Sequence, residues 1–398
     1  MSMRGLASLA LLPSMAADVV VNVAGPPVIV WSAVDQWHKC NVIDVPDVPA
    51  KVFQDREGVT HMVAGATNFH VMLGTPLNQT RSCRVAWNMT GDPDPAKFAA
   101  DEFLDATHAF DNGTVYAILD TEYPGNRYGK CDAGLSYPYC YMVYQGLAVS
   151  HDWGLTWAHA RPPPHHLVAA VPYVYNESQP AYGWAAPSII RSPIDGFFYV
   201  LMWNKHAVGL QAAGITVMRT ADITDPGSWR GLDSTGQFTV RFVSAYSMPP
   251  GEESQHISRI VNLPDDGCAP YGLVWSADLR FVVTLGCYKD YRTQGARDGV
   301  GAAHRVFMVA TSEDLITWSK ATVFYSPADL PANVSAIVTG MTYPSFVDPA
   351  APSAFGDRNY ATIGRRPYLY WVSIGHSPYT DGRHLWATPM EIREQLLA

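Results

Sequence analysis

One structural unit recurs along this 398-residue chain: an apolar strand, a tight polar turn, a second apolar strand, and a further polar turn that ends in Trp. The copies lie at 52–59, 109–116 and 189–199, with weaker ones at 272–282 and 342–371. The Asp-Gly and Asn-Gly turns suit hairpins because both central residues can adopt positive φ. The recurrence predicts an all-β chain of antiparallel hairpins, in which only 390–397 resembles a helix.

The composition fits such a chain and excludes two broad classes of protein. Hydrophobic residues make up 48% and charged residues only 16%, under the usual ~25%, so the chain does not resemble a disordered protein. The formal net charge is −9, and no cluster of Lys and Arg stands out. A nucleic acid is therefore not an expected partner.

The first residues have the organisation of a secretory signal peptide. Arg4 provides a positive start, 6–12 is an apolar run, and 14–17 contains small residues suited to cleavage. The run is too short to cross a bilayer, and no later segment reaches ~18 uninterrupted apolar residues, so no membrane span is expected. We expect a signal peptide at 1–17 and a single secreted domain at 18–398; a disordered or packed N-terminus is the alternative.

Cysteine usage agrees with export into an oxidising compartment. Six cysteines allow 15 pairings, and sequence alone does not choose among them. Locality along the chain nevertheless favours one set. Its pairs are Cys131–Cys140, Cys268–Cys287 and, from what remains, Cys40–Cys83. Because no C-x-x-C pair is present, a zinc site is not expected.

Five N-x-S/T sequons also point to secretion. They are Asn78, Asn88, Asn112, Asn176 and Asn333. A single sequon is common by chance, but five together with a signal sequence predict a glycosylated extracellular protein.

A short motif closes the second unit. Residues 150–157 read S-x-D-x-G-x-T-W, with looser versions at 311–318 and 219–229. The Asp is expected to cap its own turn, the Gly to take the left-handed conformation, and the Trp to pack between sheets. The pattern resembles the Asp box of sialidases and related β-propellers, and it predicts a folding device rather than a catalytic site.

Five units can be counted, at 46–90, 103–157, 184–230, 254–318 and 340–392, with the strand at 28–31 expected to close the ring against the last. The chain thus resembles the five-bladed β-propeller glycoside hydrolases of the arabinanase-like and fructosidase-like superfamily. Six blades remain an alternative, because 131–140 and the region near Tyr173 could contain further strands. The F-R-I-P motif of sialidases is missing, so their arginine triad is not assigned.

Glycosidase chemistry needs two carboxyl groups at the scissile bond, one protonated and one ionised. In the hydrolases that the chain resembles, such acids face the central funnel from early blades. The resemblance implies Asp47, near the position of the general base, with Asp44, Asp105 and Glu122 as further candidates. Glu122 ranks first because it lies where an apolar strand leaves the sheet. The alternative for each acid is a turn cap or a solvated position.

Other residues could contact a bound sugar, since aromatic faces pack on sugar rings and polar groups orient hydroxyls. The candidates are His108, Trp184, His256 and Tyr343; packing between blades is the competing interpretation for the Trp and the Tyr. No metal or other cofactor is expected. The histidines at 165–166 follow a stiff Pro-rich segment and are predicted to lie in a surface loop, with a metal-binding pair as the less favoured alternative. The resemblance allows a structural calcium ion in the channel, with His256 nearest.

Two classes of function follow. The first is a secreted carbohydrate-active enzyme, most simply a glycoside hydrolase acting on a polysaccharide or glycan, with a polysaccharide lyase as a variant. The second is a non-catalytic propeller that binds glycans or matrix partners. A hydrolase needs the carboxyl pair, a lyase needs a Tyr or His base near a uronate, and a binder needs only an aromatic funnel. The clustering of acids in the first two units favours the hydrolase. The oligomeric state is left open.

Overall fold

The structure is a computed structural model that describes residues 18–32, 45–135, 137–248, 256–264, 267–288, 305–351, 353–354, 356–374 and 383–395. Within these ranges the chain is almost entirely β, as predicted, and its one α-helical segment is the single turn α1 (Ala332–Ser335). No helix in this part of the chain combines the length and the apolarity that are needed to cross a membrane.

The strands are short and follow one another closely. In chain order they are β1 (Asp18–Val23), β2 (Val28–Ser32), β3 (Lys51–Gln54), β4 (Thr60–Val63), β5 (Asn68–Thr75), β6 (Asn78–Asn88), β7 (Asp101–Ala109), β8 (Val115–Pro124), β9 (Tyr141–Ser150), β10 (Ala158–His159), β11 (Leu167–Ala169), β12 (Tyr182–Arg191), β13 (Phe198–Asn204), β14 (Gly214–Thr220), β15 (Arg230–Leu232), β16 (Phe238–Arg241), β17 (Cys268–Ser276), β18 (Arg280–Tyr288), β19 (Arg305–Ser312), β20 (Thr322–Tyr325), β21 (Gly340–Val347), β22 (Tyr368–Ile374) and β23 (His384–Gln395).

These strands form four hydrogen-bonded sheets. Two are simple four-stranded meanders, β3 to β6 and β17 to β20, and a third has the order β21-β22-β23-β1, with β2 also paired to β23. The fourth has ten strands, with β7-β8-β9 and the short β10 and β11 on one side and β12 to β16 on the other. Its halves meet through a parallel pairing of only two residues on each strand, Tyr182 with Met142 and Gly183 with Val143, whereas the other pairings between named strands are antiparallel.

The two ends of the described chain pair with each other. Strand β2 runs antiparallel to β23, as predicted for 28–31, and β1 extends the pairing with Val21 opposite Ile392 and Val23 opposite Met390. The helix predicted at 390–397 is wrong over its described part, because Met390 and Ile392 are buried while Glu391 and Arg393 are exposed. This alternation has the period of a strand, not of a helix.

Two of the predicted disulfides are present. Cys131 and Cys140 are bonded with their Cα atoms 5.4 Å apart, and Cys268 is bonded to Cys287, its register partner across β17 and β18. Cys40 lies outside the described residues, so the pair with Cys83 stays a prediction. The five sequon asparagines are all exposed, which glycosylation requires but does not establish.

The turn at 150–157 is held by its own side chains. Asp152 accepts hydrogen bonds from the backbone N–H and the hydroxyl of Thr156, at 2.8 and 2.7 Å, and from the hydroxyl of Ser150. Gly154 has φ of +80°, which a residue with a Cβ adopts only with strain. The backbone N–H of Trp157 donates to Ala86 O of β6, at 3.0 Å, so the turn also links two neighbouring sheets.

Five strands lie at the centre of the molecule, namely β3, β7, β12, β17 and β21. Each is the first strand in the order of its sheet, or of its half of the ten-stranded sheet. Strand β12 contacts β7 and β17, β17 contacts β21, and β3 contacts β7. Near the last residues of these strands the channel between them is filled by the segment 357–363. Its Asn359 exchanges two hydrogen bonds with the backbone of Ala109, at 2.8 and 2.9 Å, and Ala361 O accepts from Trp275 N at 2.8 Å. The opposite end of the channel is open.

Candidate active site

A cavity of about 240 Å³ occupies the open end of the channel. Its wall comes from residues just before β3, from the first halves of β7, β9, β12, β17 and β21, and from the ends of β8 and β13, so residues far apart in the sequence meet around one axis. Four acids line it, namely Asp47, Asp105, Asp120 and Glu122. Aromatic side chains, among them Tyr137, Trp203 and Tyr271, form much of the remaining wall. Carboxyl groups beside aromatic faces are the combination expected of a sugar-binding pocket.

The backbone of the inner strands is irregular at this cavity. The register shifts between Leu104 and Ala106 in β7, and comparable shifts interrupt β12, β17 and β21. Asp105 is the extra residue in the β7 bulge. Ala186 and Tyr343, both in the wall, have φ of +51° and +56°. Such conformations cost about 1–3 kcal/mol for residues with a Cβ and concentrate at functional sites.

Glu122 and Asp120 reach the cavity from the same face of β8, because side chains two residues apart in a strand point the same way. Glu122 accepts a hydrogen bond from the hydroxyl of Tyr141. Burial, reinforced by the charge of Asp120, raises the pKa of Glu122 to about 8, although the Tyr141 hydrogen bond opposes this. Glu122 therefore holds its proton at neutral pH.

Asp120 and Asp105 are also shifted toward the protonated form. Burial, then the charge of Asp105, raises the pKa of Asp120 well above its ordinary value, although its Oδ2 accepts from Ala186 N at 2.9 Å. Asp105 is 2% exposed, and burial raises its pKa to about 8 against the attraction of Lys51. The Oδ1 atoms of both aspartates are buried without a hydrogen-bond partner. Unmet acceptors of this kind are costly unless a ligand satisfies them.

Lys51 lies beneath Asp105 in the channel. Its Nζ donates to Tyr271 O at 3.0 Å, and burial lowers its pKa to about 8. Lys51 and Asp105 are thus a buried cation and a buried acid whose charges depend on each other.

Asp47 has a different environment from the other acids. It forms an ion pair with Arg383, accepts a hydrogen bond from Tyr343 Oη at 3.2 Å, and its side chain remains 25% exposed. The cavity therefore combines a partly exposed acid that contacts a guanidinium, Asp47, with a buried acid that stays protonated, Glu122.

Four of the sequence-predicted residues meet in this cavity, and three do not. Asp47, Asp105, Glu122 and Tyr343 line it. His108 instead packs edge-on between Phe110 and Phe198 of β13, at centroid distances of 5.0 and 4.9 Å. Burial lowers its pKa to about 3. Asp44 lies outside the described residues.

Trp184 and His256 are also placed away from the cavity. Trp184 is 1% exposed and belongs to the hydrophobic core between strands β7 to β9 and strands β12 to β16. Packing of this kind was the competing interpretation. His256 is hydrogen-bonded to Tyr173 Oη at 2.8 Å. Among the described residues no carboxylate gathers with His256, and a calcium ion near it stays a prediction.

The sequence analysis missed several residues of the wall. The sequence did indicate Asp120, because the alternation in Asp120-Thr121-Glu122 places both acids on one face of a strand. Nothing in the sequence pattern indicated Tyr141, Lys205 and Arg383, because they reach the site from distant strands or loops. The surface loop predicted for 165–166 is correct for His165, which is exposed, and wrong for His166, which is fully buried.

Comparisons with known proteins identify no sequence relative. No protein-family model matches the chain, and no curated protein does. Solved structures are similar in shape. An α-L-arabinofuranosidase from Lactobacillus brevis matches with a TM-score of 0.45 and 11% identity over 90% of this chain and 94% of that chain. An endo-1,5-α-L-arabinanase from Thermotoga petrophila RKU-1 gives 0.47 and 11% over 86% and 71%.

A Cellvibrio cellulosa α-L-arabinanase mutant gives a TM-score of 0.47 and 11% identity over 90% of this chain and 93% of that chain. At these scores and identities the similarities assign no activity to this chain, and the site has to be judged by its own geometry.

Proposed function

We propose that the chain is a secreted glycoside hydrolase whose strands form a five-bladed β-propeller. In this arrangement the ten-stranded sheet is two blades joined by the short contact between β9 and β12, and β1 and β2 complete the blade that begins with β21. The self-bonded turn at 150–157 is then the sialidase-type Asp box at the outer end of the second blade. The disulfides, the exposed sequons and the apolar N-terminal run support export and glycosylation.

The observation that carries the proposed activity is the pairing of unlike acids in one cavity. Asp47 forms an ion pair with Arg383 and is partly exposed, while burial keeps Glu122 protonated. Unlike environments of two carboxyl groups distinguish the general acid of a glycosidase from its partner. We assign Glu122 as the general acid and Asp47 as the nucleophile or base.

The reaction is the hydrolysis of a glycosidic bond. Glu122 gives its proton to the glycosidic oxygen as the bond between that oxygen and the anomeric carbon breaks. Asp47 stabilises the positive charge that develops at the anomeric carbon, either by direct attack or by accepting a proton from water, and the water oxygen ends on that carbon. The unpartnered oxygens of Asp105 and Asp120 accept hydrogen bonds from sugar hydroxyls, and Tyr343 and Trp203 bound the ring.

The alternatives fit the cavity less well. A lyase needs a Tyr or His base. No His lines the described cavity wall, and burial raises the pKa of Tyr141 well above its ordinary value, so the base of a lyase would have to be another wall tyrosine such as Tyr137 or Tyr343. A binding protein needs neither a protonated acid nor left-handed backbone at Ala186 and Tyr343. A buried protonated acid and left-handed backbone both cost free energy, and this cost is explained if the site performs chemistry.

A screen of polysaccharides tests the proposal. Purified protein is incubated with neutral substrates such as arabinan, xylan and fructan and with a polyuronate, and both reducing ends and unsaturated products are measured. Hydrolysis should release reducing ends without unsaturated products. Glu122→Gln should lower turnover at least ~100-fold. Glu313→Gln, an exposed acid paired with Arg280, should change turnover no more than about twofold.

Each other result decides between the alternatives. Unsaturated products would assign a lyase, and binding without turnover would assign a glycan-binding protein. Wild-type turnover in folded Glu122→Gln would remove Glu122 from the mechanism.

A further inference from the structure

A second cluster of polar residues, Glu102, His159 and His166, lies outside the cavity. It is located between the segment that leads into β7 and the outer edge of the sheet that contains β7. Glu102 of β7 is fully buried. Its Oε1 is 2.5 Å from His159 Nε2 and 3.8 Å from His166 Nε2. The three ligand atoms all lie within 4.8 Å of one another. Among the described residues this is the one group of three or more His, Cys, Asp or Glu side chains compact enough to surround a single ion.

We propose that Glu102, His159 and His166 bind a divalent transition-metal ion, with Zn²⁺ as the best fit. Two imidazole nitrogens and one carboxylate oxygen form a donor set that Zn²⁺ prefers. Four-coordinate zinc with bonds of about 2.0–2.1 Å places its ligand atoms about 3.3 Å apart. The spacings from Glu102 to the two histidines, 2.5 and 3.8 Å, lie on either side of this value, and the two histidine nitrogens lie within 4.8 Å of each other, so side-chain movements would bring the three atoms to the zinc distances.

Hydrogen bonds hold the cluster in place. His166 Nε2 donates to the carbonyl oxygen of Phe98 at 2.9 Å, and Phe98 has φ of +54° at the end of a short 3₁₀ turn; the ion would displace the proton on this nitrogen when it binds. The other carboxylate oxygen, Glu102 Oε2, accepts from Thr90 N at 2.9 Å. A ligand carboxylate that is held by a hydrogen bond on its free oxygen is an ordinary feature of metal sites.

The histidines are fixed by the backbone before any ion binds. They flank the Pro-rich loop, and both ends of that loop are hydrogen-bonded to Leu147 of β9: Leu147 N donates to His166 O at 2.9 Å, and Ala160 N donates to Leu147 O at 2.8 Å. Gly146 leaves room for the His166 ring, because a Cβ at that position would lie 2.6 Å from His166 Cδ2. Rigid ligands of this kind reduce the entropy that binding has to offset.

The ion would join three separate parts of the chain: the segment that contains Thr90 and Phe98, the start of β7, and the loop that carries the histidines. Its role is therefore structural, since Glu102 and His166 are fully buried and His159 alone reaches the surface, with 14% of its side chain exposed. The proposal does not depend on the activity assigned to the cavity.

Metal content and thermal unfolding test this site. Tag-free protein is treated with a chelator, loaded with Zn²⁺ or Co²⁺, and desalted. We expect one equivalent of Zn²⁺ to be retained, Co²⁺ to give visible d–d bands of a four-coordinate site, and Tm to rise on loading. His159→Gln and His166→Gln should each weaken Zn²⁺ binding at least ~10-fold and abolish the shift in Tm.

His61→Gln is the matched control. His61 forms a buried pair with Asp55, at 2.9 Å, without a second histidine, so this variant should lose stability but keep the metal. Failure of the wild-type chain to retain Zn²⁺ or Co²⁺ would overturn the proposal, and so would equal loss of metal in His61→Gln. If His166→Gln does not fold, the more exposed His159→Gln decides the outcome.

Discussion

Aspartates in two regions of the molecule have opposite environments. In the turn at 150–157, both oxygens of Asp152 accept hydrogen bonds, and although partial burial acts to raise its pKa, these bonds together lower it. In the cavity, Asp105 and Asp120 each have one buried oxygen without a partner, and burial raises both pKa values. One acid stabilises its turn, and the others reduce the stability of the fold.

The difference separates acids that folding requires from acids that it tolerates. A carboxylate with all its acceptors satisfied by nearby donors explains its own presence as a turn cap. Buried acids with unmet acceptors cost free energy, so their presence needs another reason. A ligand that donates hydroxyl groups is the reason that fits a cavity lined with aromatic rings.

After the loss of turnover expected in Glu122→Gln, the next largest effect on activity is expected from Tyr141→Phe, which alters the environment of one cavity acid without removing it. A general acid is active only when protonated, so kcat/KM should fall tenfold per pH unit above the pKa of Glu122, which is about 8. The Tyr141 hydrogen bond lowers that pKa. Its removal should raise the pKa and move the alkaline limb of the profile to higher pH.

A pH–rate profile of the wild-type chain and the variant on the same substrate measures this shift. A limb that moves to lower pH, or that stays in place, would contradict the assigned role of Glu122. Tyr199→Phe is a suitable control, because Tyr199 makes its hydrogen bonds with Asp195 and Arg219 away from the cavity.

How much of this could be read from the sequence differs between the two regions. The turn was predictable in detail because its hydrogen bonds join residues within a few positions of each other, and Ser150, Asp152 and Thr156 occur at fixed spacing. The same local logic anticipated the all-β fold and two disulfides. The strand at 390–395 was missed because its alternation is short and follows a Pro, so only its pairing with β1 decides its conformation.

The cavity was predictable only in part. Asp47, Asp105 and Glu122 were candidates because acids near early strands are expected at a funnel. The basic residues that interact with two of these acids, Arg383 and Lys51, depend on tertiary contacts between residues that are far apart in the chain. His108 and Trp184 were candidates because of their places beside a hairpin and at the start of a unit, and such places do not show whether a side chain faces the channel or packs between sheets.

A second, smaller effect concerns stability. The pKa of Glu122 is about 8 in the folded chain and about 4.5 when unfolded. Between these pH values the folded state retains a proton that the unfolded state has lost, so Glu122 makes the fold less stable as pH rises. Glu122→Gln should therefore raise the free energy of unfolding by a few kcal/mol at pH 9 and by much less at pH 5.

Denaturant unfolding at these two pH values measures the difference, and Glu313→Gln, an exposed substitution, should show no comparable dependence on pH. An equal change at both pH values would mean that the carboxyl group of Glu122 is solvated rather than buried. The contrast between the acids of the cavity and the acid of the turn would then no longer hold for Glu122.

The smallest effect is expected in the turn itself. Asp152→Ala removes an acceptor of three hydrogen bonds, and loss of a comparable cap costs about 0.5–2 kcal/mol. Because the turn is satisfied internally, turnover per folded molecule should change less than about twofold. Asp314→Ala, in the similar turn at 312–318, should behave alike. A folded Asp152→Ala variant with strongly reduced turnover would place the turn in the catalytic machinery, and hydrogen-bond satisfaction would then not distinguish structural acids from functional ones in this protein.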